Sequence, residues 1–187
     1  MRVGVVGAGT MGAGIAEVFA RTPGFDVVLS DTTVELAEKG VARISKGLDK
    51  LIAKEKLDED GKAAILGRLR TGVVADLADY PIPGDHWDGI VSIFCHIQPD
   101  LRVDLHRRSV RGLRPGGVFV LEAYTPAQLR YRTGGPPHEA MLMTLAGLRR
   151  ELAGLDFVHA VECEREVVEG RLHHGLGAVV QVVAIRP

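Results

Sequence analysis

The chain has 187 residues, of which 25% are charged, and a formal net charge of −1. That balance provides no field to steer it toward nucleic acid or anionic lipid, and the length suits one domain that buries about 70% of its unfolded surface. There is no charged-then-apolar leader and no apolar run near the roughly 18 residues of a membrane span, so a cytoplasmic, non-membrane protein is expected.

The strands and helices can be read in chain order. Val3–Val6 is the first strand and runs directly into Gly7-Ala-Gly9-Thr10-Met11-Gly12, a G-x-G-x-x-G turn. Met11 to Arg21 continues as a helix with Ile15, Val18 and Phe19 on one face. Phe25–Leu29 is the second strand, and Asp31 follows it, nineteen positions after Gly12. Strand, glycine turn, helix and a later acid together form the dinucleotide-binding pattern of a Rossmann βαβ unit; the glycines alone would say little. Gly7 makes the sharp turn, Gly9 leaves room for a pyrophosphate, and Gly12 lets the helix pack closely. The helix start offers free N–H groups and its positive dipole end. Asp31 would accept hydrogen bonds from ribose hydroxyls. No cation stands beside it at Thr32 or Thr33, so NAD is favoured over NADP.

Residues 34–56 read as a long helix, with Val34, Ala37, Val41, Ile44, Leu48 and Leu51 spaced three and four apart. Asp58 can cap a further helix that turns Ala64, Ile65 and Leu69 inward. Val73-Val74-Ala75 is a short third strand, and Pro81 and Pro83 mark a turn-rich link. Gly89–Phe94 is an apolar fourth strand. Leu101, Leu105, Val110 and Leu113 mark a helix stopped at Pro115-Gly116-Gly117, and Val118–Leu121 is the fifth strand. Residues 138–153 read as helix, with Met141, Leu145, Leu148 and Leu152 on one stripe. Residues 156–168 and 178–185 are strands joined by a loop at 170–177, which pairs them antiparallel. The expected fold is α/β: a Rossmann-like doubly wound sheet in strand order 3-2-1-4-5-7-6, with strand seven antiparallel, over a single domain.

Residues 94–99 land at the carboxyl end of the fourth strand, where strand order reverses. His96 could serve there as a base or stack on a nicotinamide, or it is simply a polar loop residue; no orienting carboxylate is evident. Cys95 reads as packing. Cys95 and Cys163 lie far apart without C-x-x-C, as reduced thiols do, and His173-His174 reads as an exposed turn because no ligand spacing completes a metal site. Glu122-Ala-Tyr124 ends the fifth strand toward the crevice, and 125–137 looks like a lid or substrate loop. Arg107, Arg108, Arg111 and Arg114 form a solvated basic face with few aromatics, not a nucleic-acid surface.

The composition changes along the chain. All six lysines lie at or before Lys62, fourteen of seventeen arginines at or after Arg68, and all seven histidines at or after His86. Residues 1–72 resemble the cofactor domain of 3-hydroxyacyl-CoA dehydrogenases, especially bacterial 3-hydroxybutyryl-CoA dehydrogenases. The resemblance is carried by Val5 to Ala20 (V-V-G-A-G-T-M-G-A-G-I-A-E-V-F-A), by Val27 to Asp31 and by the Ile44–Lys56 helix. It implies NAD contacts at Gly7, Gly9, Thr10, Met11, Gly12 and Asp31. Residues 73–187 resemble the second half of class I S-adenosylmethionine methyltransferases, at Ala75 to Asp79, Trp87 to His96, Gly112 to Glu122 and the terminal hairpin. That resemblance implies an adenine pocket lined by Asp76 and Leu77, with Phe94 to Gln98, including His96, facing the reacting end of the cofactor. The methyltransferase family's own glycine loop is replaced by the dehydrogenase loop.

The expected protein is a chimera, engineered or recombined, with an NAD loop and no complete catalytic site. Its partner is a small-molecule cofactor, with no nucleic acid or membrane involved, and loss of the dehydrogenase dimerisation region favours a monomer. Two alternatives stay open: an S-adenosylmethionine-binding methyltransferase-like protein, and a fold that binds neither cofactor.

Overall fold

The computed structural model describes residues 1–73, 76–131, 133–168 and 174–187. Val74 and Ala75 of the expected third strand, and residues 170–173 of the expected hairpin loop with the side chain of His174, lie outside the described residues. Seven strands form an α/β sheet in the order β3-β2-β1-β4-β5-β7-β6, the expected order, with β7 antiparallel. The chain divides into two compact units, Met1–Tyr80 and Pro81–Pro187.

In the first unit, β1 (Arg2–Val6), β2 (Asp26–Asp31) and β3 (Leu69–Val73) are parallel, with Val5 beside Leu29 and Leu29 beside Thr71. The helices are α1 (Thr10–Arg21), α2 (Val34–Ile52) and α3 (Glu59–Leu66). Val3, Val5, Val27 and Leu29 build the core with Ile44 and Leu48 of α2. The face of α1 that is fully buried consists of Ala13, Ala16 and Ala20. The expected inward residue Val18 is 65% exposed, and Ile15 and Phe19 only border the core. Alanine suits a helix whose backbone lies close to the strands. Caps start the next two helices: Thr33 Oγ1 accepts from Leu36 N at 3.3 Å, and Asp58 Oδ1 accepts from Gly61 N at 2.7 Å, as expected of Asp58. Helix α2 stops at Ile52, short of residue 56, because Glu55 takes φ +56° and Lys56 N bonds back to Leu51 O. In α3, Ile65 is buried while Ala64 is exposed. The third strand begins at Leu69, earlier than expected. Its Arg70 and Thr71 are exposed, which hides a strand on the outer edge from a search for apolar runs.

In the second unit, β4 (Trp87–Ile93) lies parallel to β5 (Leu113–Tyr124). Next to β5 comes β7 (His174–Ile185), then β6 (Asp156–Val168), each pair antiparallel. Helices α4 (Pro99–Gly112) and α5 (Leu145–Glu151) belong to this unit. Phe119, Leu121, Leu148, Leu152, Val180 and Val182 are its core. Helix α4 fully buries His106, Ser109 and Gly112, whereas Leu101, Leu105 and Val110 are half-buried. The continuous helix expected over 138–153 is two pieces, a 3-10 turn at Glu139–Met141 and then α5. The break occurs because Met143 N bonds Tyr124 O at 3.0 Å and draws this stretch onto the end of β5. Strand β6 is the outer strand, and its Glu162, Glu164 and Glu166 are exposed. No helix among the described residues is long and apolar enough to cross a membrane.

Candidate functional site

The glycine loop joins β1 to α1, and its three glycines serve three different ends. Gly7 has φ +94°, a conformation that favours glycine, and its N–H bonds Ser30 O at 2.7 Å. A Cβ on Gly12 would stand 1.7 Å from Gly7 O, so only glycine lets α1 begin against the turn. Gly9 has φ −63°, and a Cβ there would meet nothing within 4 Å. Neither backbone conformation nor packing demands glycine at position 9, and its bare backbone faces open space.

Gly9 is also the N-cap of α1, without a side-chain cap, and the first turn holds no acid. Gly9 and Thr10 are exposed, and Met11 is half-buried. The N–H groups at this helix start are therefore left for an external acceptor, which is the arrangement anions favour.

Asp31 ends β2 and is drawn onto this loop. Its Oδ2 accepts from Ala8 N at 2.7 Å, and its Oδ1 accepts from Thr32 N at 2.7 Å and Thr32 Oγ1 at 3.3 Å. The Ala8 N–H holds its carboxyl below the usual carboxylate range; burial opposes this, and the Thr32 N–H and hydroxyl reinforce it. The acid is thus ionised and fixed next to the loop, with lone pairs left for a ribose hydroxyl.

Two residues that sequence reasoning missed complete this region. A Cβ on Gly40 of α2 would come within 2.7 Å of Ala8 Cβ and 2.9 Å of Leu29 Cδ2. Arg43 Nη1, one turn further on, donates to Ala8 O at 3.0 Å. A glycine inside an otherwise regular helix was the available signal for Gly40; nothing in the linear chain marked Arg43. Asp76 and Leu77 lie in the same unit. Asp76 Oδ1 accepts from Ala78 N at 2.9 Å and its carbonyl accepts from Tyr80 N at 2.9 Å, so its side chain organises its own turn.

Phe94 and His96 belong to the second unit. Phe94 takes φ +48°, held by its N–H on Glu122 O at 2.7 Å and by its ring 4.5 Å from that of Tyr124. His96 stacks on Tyr124 at 5.7 Å. Its Nδ1 donates to Met141 O at 3.0 Å and its Nε2 accepts from Tyr124 N at 3.2 Å. Both ring nitrogens are used, which fixes a neutral tautomer. Burial pushes the imidazole below its ordinary value, partly offset by the bond to Met141. His96 therefore holds the 139–143 segment to β5. Burial likewise pushes the Cys95 thiol up, away from the thiolate a nucleophile needs.

Other second-unit residues are also tied within their own unit. Glu122, expected to face a crevice, accepts from Arg165 on β6 and, at 2.9 Å, from Gln181 Nε2 on β7. The expected lid is stapled down. Buried Gln128 donates to Thr133 Oγ1 at 2.9 Å and Gly134 O at 3.0 Å and accepts from Ala178 N at 2.8 Å, while Tyr131 OH donates to Glu164 at 2.6 Å. Glu151 joins α5 to α4: it accepts from Arg102 Nη2 at 2.9 Å and from His106 Nδ1 at 2.7 Å. Burial alone would raise its carboxyl, but the bonds from His106 and Arg102 bring it below its ordinary value. Two arginines of the basic face are paired, Arg108 with Asp104 and Arg114 with Asp88. Among the described residues no group of three or more His, Cys, Asp or Glu could hold a metal ion.

The fold and the loop define an α/β chain of the nucleotide-binding, doubly wound class. Comparison with known proteins sharpens this. Residues 2–81 match the family model described as 3-hydroxyacyl-CoA dehydrogenase, NAD binding domain. A probable 3-hydroxybutyryl-CoA dehydrogenase of Deinococcus radiodurans is 33% identical over 172 residues, covering 91% of this chain and 55% of that protein. That alignment runs past the end of the family-model match. A 3-hydroxybutyryl-CoA dehydrogenase of Bradyrhizobium diazoefficiens is 42% identical over 79 residues, 42% of this chain and 27% of that protein. The chain thus spans about half or less of these relatives' length. By fold, it resembles a SAM-dependent methyltransferase of Methanosarcina mazei, with a TM-score of 0.63 at 16% identity over 99% of this chain and 92% of that one. Residues 2–81 are thus similar to an NAD binding domain, and the whole chain shares its fold with a solved methyltransferase structure.

Proposed function

We propose that the chain binds NAD(H) with its pyrophosphate at Gly7–Gly12 and the α1 N-terminus and its adenosine ribose on Asp31, and that it is a chimera, engineered or recombined, without a complete catalytic site. The observation that carries the reading is Gly9, a glycine required neither by φ nor by packing and placed where a phosphate would approach. The uncapped helix start and the ionised Asp31 fit the same ligand. Bound NAD would supply hydride-transfer chemistry. Against turnover stand His96, with both ring nitrogens engaged, and Cys95, whose thiol is raised. Asp76, Leu77, Phe94 and His96 are kept as proposed cofactor neighbours on the methyltransferase resemblance alone. We place the protein in the cytoplasm as a monomer, in keeping with its two free cysteines.

Calorimetric titration with NADH and, separately, S-adenosylmethionine tests the reading. NADH is expected to bind. Gly9→Ala should fold normally, since a Cβ there meets nothing within 4 Å, yet weaken NADH by about tenfold or more through misplacement of the phosphates. Binding of S-adenosylmethionine alone would favour the second reading, which the methyltransferase-like fold supports. Binding of neither, or steady oxidation of a 3-hydroxyacyl-CoA, would overturn the proposal.

A further inference from the structure

We propose that Arg43 opens the adenosine end of this loop to a 2′-phosphate, so that the site takes NADPH as well as NADH; the inference rests on the dinucleotide reading above. Along the chain Asp31 is followed by Thr32 and Thr33, with no cation beside it. The fold brings one from α2. Arg43 Nη1 donates to the carbonyl of Ala8 at 3.0 Å, and the N–H of the same Ala8 donates to Asp31 Oδ2 at 2.7 Å. A single residue therefore links the guanidinium to the carboxylate that would read the ribose. Gly40 permits this approach, because a Cβ there would collide with Ala8 and Leu29.

Arg43 is exposed and, among the described residues, has no carboxylate partner. A guanidinium carries five N–H donors in a planar fork suited to phosphate oxygens. Asp31 is engaged on both oxygens by Ala8 and Thr32, which draws its negative charge toward the loop backbone. The repulsion that normally excludes a 2′-phosphate is thereby weakened, and the attraction that admits one is present.

Titrations of NADH, NADPH and 2′,5′-ADP into the intact chain test this. The dissociation constants for NADH and NADPH should lie within about tenfold of each other. Arg43→Gln should weaken NADPH and 2′,5′-ADP by about tenfold more than NADH, with Arg43→Lys in between. NADPH affinity should also fall more steeply with salt. Thermal melts of both variants confirm that they are folded. NADH binding with NADPH rejected by more than about a hundredfold would overturn this inference and leave the NAD reading standing. Equal losses for both nucleotides in Arg43→Gln would overturn it as well, making Arg43 a loop anchor. Failure of every nucleotide to bind would end both readings.

Discussion

At Gly12 a single hydrogen atom separates a working turn from a collision with Gly7 O. Gly12→Ala is expected to cost about 1–3 kcal/mol in urea unfolding, at the upper end because the obstacle is backbone, and to abolish measurable NADH binding. His96 tells a different story. Sequence alone left it between catalyst and bystander, because its bonding partners, Met141 O and Tyr124 N, are far away along the chain. Its folded value lies below the unfolded 6.5, so the unfolded state takes up the proton first. Stability from His96 is therefore fully present above about pH 6.5 and drains away on acidification toward the folded value. Urea unfolding at a series of pH values should show this loss in the wild type and a flatter profile in His96→Gln. An identical profile in the variant would remove His96 from the explanation. The Asp31 and Glu151 contributions start to be lost only lower, as pH falls below ordinary carboxylate values.

Among the elements, those with a strong local pattern were legible. β1, the glycine turn, α1, β2 and the hairpin of β6 and β7 follow from strand runs, helical spacing and turn chemistry close together in sequence. The misreadings have different causes: a local turn ends α2 early, exposure hides an edge strand, and distant partners decide the rest. β3 hides behind Arg70 and Thr71, because this outer strand exposes side chains on both of its faces and so lacks an apolar alternation. The 138–153 stripe has the right spacing, yet its first turn is pulled onto β5. The joint between α4 and α5 was invisible for the same reason, because Arg102, His106 and Glu151 meet only in the fold. Glu151→Ala would leave a mostly buried arginine without its counter-charge, and a loss of about 3–5 kcal/mol is expected in equilibrium unfolding. A loss under about 1 kcal/mol would mean the pair is solvated like a surface bridge.

For the molecule as a whole, sheet order was readable because it follows from alternating strands and helices closed by a hairpin. Cofactor choice was only half readable, since a carboxylate marks a ribose whichever nucleotide bears it. Mass action gives an independent check. Saturating NADH at one hundred times its dissociation constant should stabilise the chain by about 2.7 kcal/mol, visible as a rise in melting temperature. S-adenosylmethionine at the same concentration should leave the melt unchanged, and the reverse pattern would hand the site to the other cofactor.

The outer strand β6 offers thirteen residues of backbone along its free side, the sort of margin on which sheets accrete. Glu162, Glu164 and Glu166 stand on it at alternate positions. A second chain laid antiparallel along that margin would bring glutamate against glutamate, and like charges directly opposite are unfavourable. A protein with almost no net charge to keep its copies apart thus places like charges along the longer of its sheet's two borders, where growth into a fibre could begin.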